Sequence, residues 1–239
     1  VDFTAPVSNG SITFAVINLA PAIPQCTAAR LACLDSTAIT GTVWVHSAVS
    51  TGHGLLVAQS IFESLLSRLA YSLELAVALS KVTASDFEPE APSPGHSLIA
   101  GTGYYYLTAN APTVRRSVEP QAIREALEPA SPRGEQNYGQ FRSACLSTGP
   151  VEEFMHLYRL LLELLGDKQP KVDAFILQNE PLVPQSQSPM FPGASETLYT
   201  RLRNELAHKR NGVDLDKTKT AMSNHLSGLR KIVRLAILQ

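Results

Sequence analysis

Apolar and polar positions change their rhythm about halfway along the chain. The segment Ser11-Ile-Thr-Phe-Ala-Val-Ile-Asn18 is rich in β-branched and aromatic residues and is bounded by Asn9-Gly10 and Pro21, so it reads as a strand. Ala38 to His46 reads the same way, with Val43 and Val45 on one face and Trp44 and His46 on the other. A third strand is expected over Ser97 to Thr108, which contains Tyr104, Tyr105 and Tyr106. Between the last two, Leu55, Phe62, Leu65, Leu66, Leu69 and Leu73 recur at helical spacing and predict a helix from about Gly54 to Lys81. Phe87 to Gly95 holds Pro89, Pro92 and Pro94, which removes it from any helix and makes it a loop or linker.

From Val118 onward the rhythm is helical. Pro120 sits where a helix over 119–127 would start, a position that does not need its missing N–H. A helix over 134–146 follows. Next is the most apolar helix of the chain, Val151 to Leu165, whose Val151, Phe154, Tyr158, Leu161 and Leu165 form one stripe, widened by Leu157, Leu160, Leu162 and Leu164. A short helix over 171–178 and a proline-rich loop over 181–193 come next. Ser195 is placed to cap a helix running to Arg210, with Glu196 in its first turn and Asn211-Gly212 as its stop signal. Asp214 opens the last helix, with Met222, Leu226, Leu229, Val233 and Ile237 on one side. These patterns predict an α+β protein: a small mixed domain over 1–112, then an all-α antiparallel bundle over 118–239.

Composition adds few limits. The 44% hydrophobic and 17% charged residues are those of an ordinary globular chain. No membrane span is expected, because Glu63, Arg68 and Glu74 interrupt the longest apolar region. Cys26, Cys33 and Cys145 make no paired framework and no metal knuckle, and are read as reduced, buried thiols of a cytoplasmic protein. Val1 stands where a start methionine would, which leaves a removed leading segment open.

The near-zero net charge conceals an asymmetry. Residues 1–100 hold three basic side chains against seven acidic, whereas residues 201–239 hold nine basic against three acidic. A polyanion would be drawn to the C-terminal end.

That end contains the run Arg201-Leu-Arg-Asn-Glu-Leu-Ala-His-Lys-Arg210. Histidine exchanges protons near neutral pH, and arginine grips phosphate through two parallel hydrogen bonds. On a helical wheel Leu198, Leu202 and Leu206 face the core, and Arg201, Asn204 and His208 share another face. Arg203 lies roughly 140° from His208. Taken alone, such a polar row is what any amphipathic surface helix shows.

Arg203-Asn204-Glu205-Leu206-Ala207-His208 resembles the arginine–polar–histidine signature of HEPN domains, the helical domains of higher eukaryotic and prokaryotic nucleotide-binding proteins. The resemblance covers about residues 118–239, where one more long helix follows the motif and Val151 to Leu165 is similar to the family's early core helix. Within the family the layout is similar to the ApeA-like group and to the J-type proteins of methylamine-utilisation clusters.

The resemblance implies metal-independent endoribonuclease activity at a site composed by two copies of the chain, with no cofactor and no metal. It implies His208 as general base or acid, Arg203 as the stabiliser of phosphoryl charge, and Asn204 as the group that orients one or the other. Arg201 is the reserve arginine, and Lys209, Arg210, Lys217 and Lys219 would attract phosphate without specificity. The implied partners are RNA and a second copy bound through the C-terminal bundle; the N-terminal domain, outside the resemblance, is read as a sensor or a module that binds a protein partner. The implied setting is bacterial defence or toxin–antitoxin biology. A non-catalytic domain that only oligomerises or binds partners is the alternative.

The other histidines offer less. His46 and His96 lie on or near strands, His53 lies in a turn, His156 is expected in the core, and His225 could reach the cleft from the last helix. No metal-spaced pair is present. Gly101-Thr-Gly103 precedes a strand rather than a helix, so it makes no phosphate loop.

Overall fold

The structure is a computed structural model, and it describes residues 1–9, 11–19, 25–34, 37–86, 115–127, 132–189, 193–208 and 212–239. The expected strand over 97–108 with its three tyrosines, the proline loop over 87–95, and Lys209 and Arg210 lie outside the described residues. The protein is α+β, as the pattern predicts, and divides into two compact units, Val1–Glu135 and Gln136–Gln239.

The first unit is built on a sheet. Strands β1 (Asp2–Asn9), β2 (Ser11–Leu19), β3 (Cys26–Cys33) and β4 (Ala38–Val45) are joined at its edges by β5 (Ala76–Val77), β6 (Lys81–Ala84) and β7 (Arg115–Ser117). The order is β5-β1-β4-β3-β2-β7, with β6 also paired to β1. Thus β2, β3 and β4 form an antiparallel meander, and β1 closes on the outer side of β4 rather than beside β2. Strand alternation sends Phe3, Ala5, Leu31, Ile39 and Val43 inward and leaves Trp44 exposed. The inward row meets helix α1 (Thr51–Leu73), whose Phe62 stacks on Phe3 with ring centroids 4.8 Å apart. Gly41 allows that approach, since a Cβ there would collide with the Phe62 ring and the Arg30 carbonyl.

Helix α1 stops at Leu73, short of the predicted Lys81. Glu74 takes a left-handed conformation (φ 55°) and donates its N–H to the Ala70 carbonyl. The chain beyond then pairs with the sheet edge, where Val77 is fully buried opposite Val7. A free edge of unpaired backbone groups outcompetes further helix once the apolar run Leu75-Ala76-Val77 can be buried on it. Helix α2 (Pro120–Leu127) starts at its proline as expected, yet it packs on α1 and β2, so it belongs with the sheet unit rather than with the helical one.

The division between units falls within α3 (Pro132–Cys145). The second unit adds α4 (Pro150–Leu164), α5 (Gln169–Asn179), α6 (Leu198–His208) and α7 (Leu215–Ile237). Helices α4 and α7 form its main packing. Phe154, Leu157, Tyr158 and Leu161 of α4 are buried, as are Met222, Leu226, Leu229, Val233 and Ile237 of α7. Arg230 of α7 donates two hydrogen bonds, at 2.6 and 2.8 Å, to the buried carboxylate of Glu153. Asp214 caps α7 by accepting from the Asp216 and Lys217 amides.

Two expectations fail in this unit. It is not all-α: β8 (Gln185–Gln187) pairs with β9 (Ser195–Thr197) inside the segment read as loop and helix start. Ser195 therefore caps no helix, α6 begins at Leu198, and Glu196 is a buried strand residue rather than a first-turn acid. Leu198 and Leu202 are buried as expected, and Leu206 is half-buried.

All three cysteines are buried thiols outside any disulfide, with the Cys33 thiol donating to the Ile12 carbonyl at 2.9 Å. Among the described residues no helix is long and apolar enough to cross a membrane.

Candidate functional site at the end of helix α6

The site is assembled on α6 because that helix ends on the residue of interest. His208 is its last residue and is exposed. Arg203 approaches it on the same helix, with Nη1 at 3.4 Å from His208 Nε2. The helical wheel separates the two by roughly 140°, a divergence that a site composed by two chains would ease. In the structure the two side chains nonetheless meet within one helix. A wheel gives the direction of Cβ, whereas an arginine side chain can follow the helix surface toward its C-terminus.

Two groups fix the arginine. Its Nη1 donates to Asn204 Oδ1 at 2.9 Å, and its Cζ lies 5.9 Å from the centroid of the Tyr158 ring, within cation–π range. Asn204 is itself buried, and its Nδ2 donates to Glu196 Oε2 and Gln169 Oε1, both at 3.2 Å. The asparagine side chain thus holds Arg203, and the structure brings it to no contact with His208.

Behind Arg203 lies a polar network in an otherwise apolar core. The Tyr158 hydroxyl and Thr200 Oγ1 are 2.7 Å apart. Thr200 donates to Asp173 Oδ1 at 2.6 Å, and the same oxygen accepts from the amide (2.9 Å) and hydroxyl (2.7 Å) of Thr197. Burial pushes the Tyr158 hydroxyl well above the ordinary tyrosine range; the Thr200 bond and the Arg203 charge oppose this, and Asp173 and Glu196 reinforce it. Tyr158 therefore stays neutral and serves as a ring and a hydrogen-bonding anchor.

The other candidates separate from this group. Arg201 turns along its own helix to Glu205 at 3.5 Å, and Glu205 also accepts from Thr218 of α7 at 2.7 Å. Lys217 and Lys219 lie in the first turns of α7 and pair with Asp214 (3.5 Å) and Asp216 (3.2 Å), three residues before each. These exposed pairs partly offset the positive charge counted along the segment. His225 meets the Tyr199 ring edge-on, with centroids 6.3 Å apart. His156, expected in the core, is exposed and lies 2.9 Å from the Ser147 hydroxyl.

Sequence reasoning missed Tyr158, Asp173, Thr197, Thr200 and Gln169 as parts of this site. Tyr158 reads as one more apolar residue of α4, and its partners are scattered over three other elements. The only visible signal is Thr197 and Thr200 flanking Tyr199 just before the motif. Among the described residues no group of three or more His, Cys, Asp or Glu side chains could hold a metal ion. Compared with models of protein families, with curated proteins and with solved structures, the chain matches none.

Proposed function

We propose that the helical unit is a HEPN-type ribonuclease domain that cleaves RNA without a metal. The observation that carries this reading is the contact of Arg203 with an exposed His208 on one helix end, the arginine being fixed from behind by Asn204 and Tyr158. In the reaction the ribose O2′ attacks phosphorus and the P–O5′ bond breaks. His208 takes the 2′-hydroxyl proton, and O5′ takes a proton from water or from the imidazolium of a second copy. Arg203 stabilises the charge on the phosphoryl oxygens. The products are a 2′,3′-cyclic phosphate and a 5′-hydroxyl. The sheet unit would recognise a partner or signal, and the setting would be cellular defence or toxin–antitoxin biology.

A second reading has its own support. Asp173 and Glu196 are buried and bonded, through Thr200 and directly, to the Tyr158 and Asn204 side chains that hold Arg203, so the arginine also suits a purely structural role in a domain that oligomerises or binds a partner. The deciding experiment incubates the full chain with mixed RNA plus chelator, beside His208→Ala and Arg203→Ala. Cleavage that persists with chelator and is lost in both variants supports the enzyme. RNA left intact by folded protein supports the second reading.

A further inference from the structure

The Arg203–His208 contact carries information about the proton on the imidazole. A guanidinium has donors only, so Nη1 at 3.4 Å from Nε2 is a hydrogen bond only when Nε2 offers its lone pair. That places the proton of the neutral ring on Nδ1. It also covers the lone pair that a base at Nε2 would use. We infer that Arg203 caps His208 Nε2 in the free protein, and that an incoming phosphodiester uncaps it by drawing the guanidinium onto its own oxygens. The inference rests on the ribonuclease reading and assigns a regulatory step to the same site.

The energetics favour the exchange. The bond to a neutral imidazole is long, whereas a guanidinium grips phosphate through two short charge-assisted bonds. Arg203 need not leave its supports to make the exchange. The guanidinium has five donor hydrogens, and Nη1 itself makes both the bond to Asn204 (2.9 Å) and the contact with His208; turning the guanidinium plane about the Asn204 bond directs the second Nη1 hydrogen away from Nε2 and presents it with the remaining donors to a phosphate. The base would thus be exposed only when a phosphate stands beside it, ready to accept the proton of the neighbouring 2′-hydroxyl. Water and adventitious acids meet a covered nitrogen.

The test is the tautomer of His208 in the full chain, read by ¹⁵N-histidine NMR at about pH 8, above the unperturbed histidine range. The His208 signal is identified by its loss in His208→Ala, and the probes are inorganic phosphate and a 2′-O-methyl oligonucleotide that cannot be cleaved. The expected result is protonated Nδ1 and bare Nε2 in the free protein; either probe draws the guanidinium away without supplying a 2′-hydroxyl donor in its place, so the ring relaxes toward protonated Nε2, whereas a substrate's 2′-hydroxyl would donate to Nε2 and keep its lone pair there. Arg203→Ala should show protonated Nε2 from the start and no response to the probes. Protonated Nε2 in the free wild type overturns the cap, and so does a His208 signal that neither probe moves. The wild-type spectra decide even where the variant fails to fold.

RNA cleavage is scored separately. Cleavage with the wrong tautomer removes the cap and leaves the ribonuclease. The expected tautomer response with uncut RNA removes the ribonuclease and leaves an anion-operated contact.

Discussion

Each unit holds an arginine through specific contacts, and the two are handled differently. Arg68 of α1 is closed in: its Nε donates to Glu135 Oε1 at 2.6 Å, its Nη1 donates to the Leu127 carbonyl at 2.7 Å, and its side chain is 7% exposed. Ser64 donates to the second oxygen of the same carboxylate at 2.6 Å, so charge and hydrogen bonding are satisfied together. Arg203 of α6 is supported from behind by Asn204 and the Tyr158 ring and remains half-exposed toward a titratable side chain. A cation saturated by a carboxylate and a carbonyl is bound into the fold. A cation held by a neutral amide and a ring face keeps donors for something else.

The largest expected effect tests the open arginine. On the ribonuclease reading, His208→Ala should lower RNA cleavage by about 10²-fold or more, the usual contribution of a positioned acid–base group. Arg203→Ala should do the same, and single-turnover cleavage with chelator measures both. Equal activity in either variant and the wild type would place the chemistry elsewhere.

Glu135→Ala tests the closed one. It strands a buried guanidinium and should cost about 3 kcal/mol in a urea denaturation, with cleavage per folded molecule unchanged. A cost near zero would mean that water reaches Arg68 and that the contrast between the two arginines is overstated.

Asp173→Asn weakens the anchor behind Arg203, because three donors converge on one carboxylate oxygen. It should lower stability by about 2 kcal/mol, the range for a hydrogen-bonded charged group. Smaller still, Tyr158→Phe removes only the hydroxyl and should cost about 1 kcal/mol while keeping the ring under Arg203 and most of the activity. Tyr158→Leu should lose activity that Tyr158→Phe retains. If the two behave alike, the ring does not position the arginine.

The least demanding check is alkaline pH. Burial raises the hydroxyls of both Tyr158 and Tyr199, and Tyr199 also donates to Glu180 at 2.8 Å. Their folded pKa values lie above the unfolded value of 10.0. The stability linked to them is therefore whole below pH 10 and declines as the pH rises through that value toward the folded ones. Tyrosinate absorbance followed with pH should show these two rings ionising only as the helical unit unfolds.

The unequal legibility of the units follows from the range of the forces involved. Helices α2, α4, α5 and α7 could be read from local rhythm and punctuation, because an amphipathic stripe, Pro120 and Asp214 act within a few residues. Strands β1 and β3 were missed, since their pairing partners lie far along the chain and their alternation is diluted by alanine. The early stop of α1 and the β8–β9 pair in place of a loop and cap have the same cause, as distant backbone groups competed for those residues.

For the candidate site, the residues themselves were legible: arginine, asparagine and histidine close together on one helix. Their contacts were settled by packing. Sequence placed Asn204 beside His208 on the wheel, whereas burial of its amide on Glu196 and Gln169 turned its oxygen to Arg203. Sequence also set Arg203 and His208 apart, because it determines Cβ directions and helix register but not where a long side chain comes to rest. The Tyr158 ring and the chain of bonds through Thr200 to Asp173 decided that, and those residues meet only after α4, α5, β9 and α6 have folded together.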